Sequence, residues 1–282
     1  MKLSGTTLAA LSALCVCTGL ALVRRLPRSA RERGLFTMGA AGFALFVVIE
    51  VGYQALGTVE LGALSDAPGS LALSAGLLII GLLCGMVGLA WIETRRGQPG
   101  AYDPRPLDVA MMLAAGVGLY SFAKGLTVGQ SMATSFEGPG MLVVLGVALQ
   151  GLISGAVVAA PVVGQPMSPG RLLLLATIVA GPSVGGIIVG TSWVGPGLEL
   201  LVLSLAAGTL VYVLRELLRG RLEDVSAVGA MWGLAVGLLL ALAAELLVEL
   251  GRQASQFAFS FRQSSGNHCE HRLVLEMPFK IP

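Results

Sequence analysis

Residues 118–131 read GLYSFAKGLTVGQS and lie inside a long apolar run near the middle of the chain. They include Lys124, the one lysine that hydropathy places within a lipid-spanning segment. A charge at the centre of a membrane helix costs about 2.5–3.5 kcal/mol on insertion scales. We therefore predict that Lys124 belongs to a functional site, where a partner group or an aqueous cavity compensates its charge.

The composition around this stretch excludes a soluble globular protein. Of the 282 residues, 55% are hydrophobic and 12% are charged, with a mean hydropathy of +0.83. A soluble domain carries about 25% charged residues. We expect an integral membrane protein whose partner is the lipid bilayer, with no nucleic acid as a partner.

Eight apolar runs are long enough to cross a bilayer, which requires about 17–25 helical residues. They fall at about 5–23, 35–57, 71–92, 107–135, 141–163, 172–193, 198–218 and 226–250. Helices are expected throughout because lipid offers backbone groups no other hydrogen-bond partner. The predicted fold is therefore an all-α membrane protein of eight transmembrane helices.

Two regions follow from this pattern. Residues 1–250 form the predicted eight-helix transmembrane domain, and residues 251–282 form a more polar C-terminal tail that we expect to be disordered. The tail contains His268 and His271. A metal site needs three or four converging ligands, so we do not predict one in the tail.

Glycines four residues apart recur in the apolar runs, as at Gly125 and Gly129 or at Gly186 and Gly190. Small residues at this spacing let two membrane helices approach closely. They predict helix–helix contact faces.

Positive charge is distributed unevenly between the connections. Twelve arginines lie in or beside the odd-numbered connections: Arg24, Arg25, Arg28, Arg31, Arg33, Arg95, Arg96, Arg105, Arg171, Arg215, Arg219 and Arg221. The even-numbered connections, at 58–70, 136–140 and 194–197, contain neither lysine nor arginine. Because cytoplasmic loops carry the excess of basic residues, we predict that both termini lie outside a cell membrane of the bacterial inner (plasma) membrane type.

Polar side chains form a stripe on the fourth segment and another on the fifth. Ser121 and Lys124 share a helical face, flanked by Tyr120, and Gln150 and Ser154 share a face on the next segment. Two such stripes facing each other would line a site or a path. The alternative, which stays open, is that the serines bond back to their own helix carbonyls and the glutamine bridges two helices.

Three glutamates are candidate partners for Lys124. Glu50 lies about 23 Å along the second segment, at 1.5 Å per helical residue, which is a depth similar to that of Lys124. A Glu50–Lys124 pair is therefore geometrically possible. Glu245 and Glu249 lie nearer the outer surface, and we expect them to be interfacial anchors.

Several short frames in order resemble the ZIP (Zrt/Irt-like) divalent-metal transporters. The fourth helix of that family reads His-Asn-x-Pro-Glu-Gly-Leu-Ala-x-Gly, and residues 120–129 here read YSFAKGLTVG. Residues 150–161, QGLISGAVVAAP, resemble the family's second copy of the motif, which ends in proline. The frames GGII at 185–188 and AAGTLVYV at 206–213 resemble its sixth and seventh helices. With eight spans and both ends outside, the resemblance covers about residues 5–250 and implies a ZIP-like helical bundle.

The ligand positions of that family are changed in this chain. Tyr120, Ser121 and Lys124 stand where the family has His, Asn and Glu, and Gln150 and Ser154 stand at the corresponding positions of the fifth helix. Zinc is held by imidazole, thiolate or carboxylate groups, and an ammonium repels a dication. We expect no resident cofactor and assign no metal ligands, so that zinc or another divalent metal would enter only as cargo.

The resemblance implies a membrane transporter of divalent metal cations such as zinc, with a central site in which Lys124 replaces an acidic ligand. The candidate transport path consists of Tyr120, Ser121, Lys124, Gln150, Ser154 and Glu50. The alternatives are a non-transporting relative that acts as a scaffold, sensor or partner subunit, and a transporter of a non-metal substrate. We do not expect an enzyme, because the spans contain no catalytic triad and no paired aspartates. The sequence leaves a homodimer open.

Overall fold

The computed structural model describes residues 5–24, 29–64, 68–96, 105–134, 141–165, 167–192, 196–219 and 226–275. These residues form helices without any strand: α1 (Gly5–Arg24), α2 (Ala30–Leu64), α3 (Pro68–Arg96), α4 (Pro106–Thr134), α5 (Met141–Ala159), α6 (Pro169–Gly190), α7 (Pro196–Arg219) and α8 (Ala227–Leu275). A short 3₁₀ turn, Ala160–Val162, follows α5.

Within the described part of the chain, seven helices, α2 to α8, are long and apolar enough to cross a membrane. The apolar stretch of α1, Ala10–Val23, is shorter than the other seven. The chain is therefore an all-helical integral membrane protein, as its composition predicted. The sequence predicted eight spans, and the described helices account for seven of them.

Local sequence signals explain where the helices begin. Proline occupies the first position of α3, α4, α6 and α7, where its missing N–H would have no partner in any case. At the start of α2, Ser29 and Glu32 form a capping box, in which each side chain accepts a hydrogen bond from the other residue's backbone N–H. Ser226 caps α8 by accepting from the N–H of Gly229.

We name two groups of four helices, which are also in extensive contact with each other. Bundle A contains α1, α4, α5 and α6, in which α4 packs along α6 and α1 packs along α5 and α6. Bundle B contains α2, α3, α7 and α8, in which α2 packs along α8 and α7, and α3 packs along α7. The two bundles meet where α5 contacts α8 and where α4 contacts α7.

The predicted glycine faces form the closest helix contacts. A β-carbon added to Gly125 would come within 2.6 Å of the carbonyl oxygen of Ser183, and one added to Gly190 would collide with the backbone of Leu126. In bundle B, Gly85 and Gly208 bring α3 and α7 together in the same way. These contacts confirm the small-residue packing faces and fix the pairing of α4 with α6.

The last helix extends further than the sequence predicted. Helix α8 runs from Ala227 to Leu275, and its apolar part of membrane-crossing length ends at Gly251, close to the end of the predicted span; the disordered tail stays a prediction. The segment after Gly251 contains serine, glutamine and arginine but no proline before Pro278, so nothing in it interrupts a helix. Residues 276–282 lie outside the described part of the chain.

Candidate functional site

Lys124 lies in the interior of α4, where its side chain is only 14% exposed. Its ammonium donates one hydrogen bond to Oε1 of Glu50 on α2 and another, at 2.7 Å, to Oε1 of Glu245 on α8. The Glu50–Lys124 pair that equal depth predicted is therefore confirmed. One cation on bundle A is held by two carboxylates on bundle B.

The expectation for Glu245 is wrong. We expected an interfacial anchor, but α8 turns this residue toward the protein, beside the buried Ala241 and Ala244. The small side chains of these alanines leave room for the glutamate chain to reach Lys124. Glu249, one turn further along α8, is exposed and accepts a hydrogen bond from Gln253 at 3.3 Å.

Glu50 accepts hydrogen bonds from several side chains besides Lys124. The hydroxyl of Tyr120, a residue that is 2% exposed, donates to Oε2 of Glu50 at 2.5 Å. The amide of Gln54 donates to Oε1 at 2.8 Å, and Gln150 donates from α5 to the Tyr120 oxygen at 3.4 Å. Charge-assisted hydrogen bonds of this kind compensate a carboxylate that is removed from water.

The sequence analysis did not assign Gln54 to the site, although its position relative to Glu50 indicated a contact. It follows Glu50 by four residues on α2, which is the spacing at which two side chains on one helix face can interact.

A small cavity adjoins Lys124 inside bundle A. It has a volume of about 50 Å³ and receives Ser12 from α1, Ser121 from α4, Ser154 from α5 and Ser183 from α6. Lys124 and Gln150 also line it. We call this cavity the serine chamber. Ser121 and Ser154 thus line one cavity, as one of the two alternatives predicted, whereas Gln150 also bridges α5 to α4 through Tyr120, as the other predicted.

The serine hydroxyls differ from the other hydroxyls of the spans. Thr37 and Thr177 donate to carbonyls of their own helices, as Ser and Thr commonly do in membrane helices. Within the described residues, the hydroxyls of Ser12, Ser121, Ser154 and Ser183 have no hydrogen-bond partner in the protein. Ser154 is 3% exposed and Ser12 is 8% exposed, and both line the chamber.

Two members of the chamber were not predicted. Ser12 and Ser183 are isolated serines in apolar runs, and their part in the site depends on the packing of α1 and α6 against α4 and α5. All six residues predicted for the transport path belong to one connected group. Tyr120 and Glu50 lie on one side of Lys124, and Ser121, Gln150 and Ser154 surround the chamber on the other.

A second polar contact joins the bundles one turn further along α4. The hydroxyl of Thr127 lies 2.9 Å from Oε1 of Glu199, in the first turn of α7, and 3.2 Å from the carbonyl of Ala123. Three carboxylates of bundle B therefore contact polar groups of α4.

The chemistry of the site is poorly suited to a divalent metal. Among the described residues, no group of three or more His, Cys, Asp and Glu side chains lies close enough to hold a metal ion. Lys124 occupies both nearby carboxylates. An ammonium about 4 Å from a dication would repel it by about 8 kcal/mol at an effective dielectric constant of about 20. The side chains of His268 and His271 lie outside what the structure describes.

A scan against protein-family models and a search of the curated proteins both return no match for this chain. The resemblance to the ZIP transporters therefore rests on the residues quoted above.

Proposed function

We propose that this chain is a ZIP-like membrane transporter in which bundle A moves against bundle B around Lys124. The observation that carries the proposal is the division of charge between the bundles: Lys124 lies on bundle A, whereas Glu50 and Glu245 both lie on bundle B. Ion pairs within one rigid body would serve packing alone. Ion pairs between two bodies can be exchanged when the bodies move.

The helix grouping supports this proposal. In the family that the sequence resembles, one helix bundle is thought to slide against another to open the site alternately to each side. The proposal assigns α1, α4, α5 and α6 to one moving body and α2, α3, α7 and α8 to the other, and the ion pairs of Lys124 join these two sets. In the proposed topology α1 also crosses the membrane, which gives eight spans in all. Both termini then lie outside a bacterial-type cell membrane.

The cargo implied by the resemblance is a divalent metal such as zinc. The site favours a changed cargo, because Lys124 replaces an acidic ligand and the polar groups that line the chamber beside it are hydroxyls and one amide. In this proposal the ammonium takes the place that a bound cation would occupy between the two carboxylates.

Bundle movement can be tested without knowing the cargo. Spin labels on the exposed positions Leu174 of α6 and Ile80 of α3, introduced in a cysteine-free background, report the distance between the bundles in lipid by double electron–electron resonance. We expect a second distance to appear, or to gain population, when Lys124→Met removes the ion pairs. The matched control places both labels in bundle A, at Leu174 and Leu22, where the distance should stay constant.

Transport of a divalent metal is tested by a separate experiment. Purified protein in liposomes is assayed for uptake of zinc, manganese and iron against protein-free vesicles. Uptake above the background supports a metal cargo, and no uptake of the three ions removes it. A single inter-bundle distance that is unchanged by Lys124→Met would instead favour a non-transporting protein, whose ion pairs would then hold the bundles in one arrangement.

A further inference from the structure

The serine chamber has the size of a site for a few water molecules, with four hydroxyls and one amide set among apolar side chains. A water molecule needs about 10–15 Å³ of such volume and two to four polar partners, and the chamber has about 50 Å³. Drug-sized ligands occupy pockets of about 300–1,000 Å³, so an organic solute of that size is excluded. Hydroxyls both donate and accept hydrogen bonds, as a proton-conducting chain of water requires.

Lys124 connects the chamber to the carboxylates of bundle B. Its side chain lines the chamber, and its ammonium donates to Glu50 and Glu245 on the other side. Lys124 therefore belongs both to the wall of the chamber and to the ion pairs with the two carboxylates.

The charges of this group do not balance. One ammonium faces two carboxylates, so the ionised group carries one excess negative charge in a low-dielectric region. Glu50 receives bonds from Tyr120, Gln54 and Lys124, whereas the only hydrogen bond that the described residues give Glu245 comes from Lys124. Glu245 therefore has fewer hydrogen-bond donors than Glu50, and one added proton on either carboxylate would make the group neutral.

We infer that the serine chamber and Lys124 form a proton pathway to Glu245, and that the ion which this site binds and releases is the proton. The inference rests on the proposed function and names the ion that is coupled to bundle movement. Protonation of Glu245 would weaken its ion pair with Lys124 and release one of the two charge contacts between the bundles.

The proton moves in two balanced steps. The Lys124 ammonium transfers a proton to the Glu245 carboxylate, which leaves a neutral amine and a carboxylic acid. The amine then takes a proton from a hydronium ion in the chamber, which leaves water and restores the ammonium. These two steps move one proton from the chamber to Glu245, and the acid, whose side chain is 20% exposed, then gives that proton to a water molecule, which restores the carboxylate.

Other ionisable groups face this site from the surrounding helices. Tyr120 on α4 bonds to Glu50, and Glu199 on α7 contacts Thr127 one turn away. Glu249 on α8 bonds to Gln253. From α1, α5 and α6 the groups that face Lys124 across the chamber are the neutral serines and Gln150. Lys124 is the only cation of the group, so a change at this residue isolates the relay.

The experiment measures proton entry into liposomes that contain the full chain and the pH-sensitive dye pyranine. A potassium gradient with valinomycin supplies a membrane potential, negative inside, that drives protons inward. We expect acidification at least fivefold faster than in protein-free vesicles. Lys124→Arg keeps the positive charge and its ion pairs but does not release a proton, so it should reduce the flux at least tenfold.

A second variant guards against misfolding of the arginine protein. Ser12→Ala combined with Ser154→Ala removes two chamber hydroxyls without adding volume, and it should also lower the flux at least tenfold. The matched control is Ser204→Ala, because Ser204 is equally buried, bonds to its own helix carbonyl at Leu201 and lies in bundle B. Its flux should stay within twofold of the wild type.

The outcomes separate this inference from the proposed function. Wild-type flux equal to that of empty vesicles, or full flux in both the Lys124→Arg and the double serine variants, overturns the proton pathway. Two inter-bundle distances without proton flux would support the transporter proposal and overturn the proton pathway. Proton flux with a single, fixed inter-bundle distance would support the proton pathway and contradict bundle movement.

Discussion

The ammonium nitrogen of Lys124 lies 2.7 Å from Oε1 of Glu245, although the two residues are 121 positions apart in the chain and belong to different bundles. Together with the Glu50 pair, this contact connects α4 to both α2 and α8. The consequences for stability and for the site can be measured one substitution at a time.

Removal of the ammonium should destabilise the protein strongly. Lys124→Met leaves Glu50 and Glu245 without their common cation, and removing one partner of a buried charge pair costs about 3–5 kcal/mol. The measurement is the free energy of unfolding in mixed micelles, titrated with denaturing detergent. Arg171→Gln, at an exposed position of α6, is the control and should stay within about 0.5 kcal/mol. An equal effect of both variants would contradict a compensating role for the Lys124 pairs.

The two buried tyrosine hydroxyls should behave differently. Tyr120→Phe removes the donor to Glu50 and leaves a buried oxygen unsatisfied, which costs about 1–3 kcal/mol. Tyr212 is also buried, but its hydroxyl has no hydrogen-bond partner among the described residues. Tyr212→Phe should therefore leave the unfolding free energy unchanged or raise it slightly. A larger loss in the Tyr212 variant would show that the Tyr120 bond contributes little.

Replacing glycine by alanine should have opposite effects on stability at tightly packed and at open positions. Gly125→Ala places a β-carbon 2.6 Å from the carbonyl oxygen of Ser183, and overpacking of this kind costs about 1–3 kcal/mol. Gly88 in α3 has no atom within 4 Å of the corresponding position. Gly88→Ala should stabilise the helix by about 0.5–1 kcal/mol. Thermal unfolding of both variants checks the sign of each change.

Cysteine labelling tests the proposed topology. Ser192 and Ser29 are both exposed, after α6 and before α2 respectively. With both termini outside, a membrane-impermeant maleimide should label Ser192→Cys in intact cells and should label Ser29→Cys only after permeabilisation. The opposite labelling pattern would show that both termini lie inside, contrary to the prediction from the arginine distribution.

The sequence predicted the helical membrane fold and part of the site because both depend on local signals. Hydropathy locates the spans, glycines four residues apart mark the contact faces, and equal depth along two helices pairs Glu50 with Lys124. These signals need no knowledge of how distant helices are arranged.

The missed features depend on tertiary packing. Glu245 joins the site because α8 packs against both α2 and α5, and the rotation of a helix about its axis is poorly fixed by a run that is apolar on all sides. Ser12 and Ser183 share a chamber only because α1 and α6 enclose α4 and α5. The grouping into bundles of non-consecutive helices, such as α1 with α6, leaves no local trace in the sequence.

The division of charge between the bundles also makes the protein sensitive to voltage. Bundle A carries the positive charge of Lys124, and bundle B carries the negative charges of Glu50 and Glu245. One elementary charge that crosses the whole membrane changes its energy by about 2.3 kcal/mol per 100 mV. In the proposed movement, the electric field of an energised membrane would pull the two bundles in opposite directions along the membrane normal, and the membrane voltage would shift the balance between their relative positions.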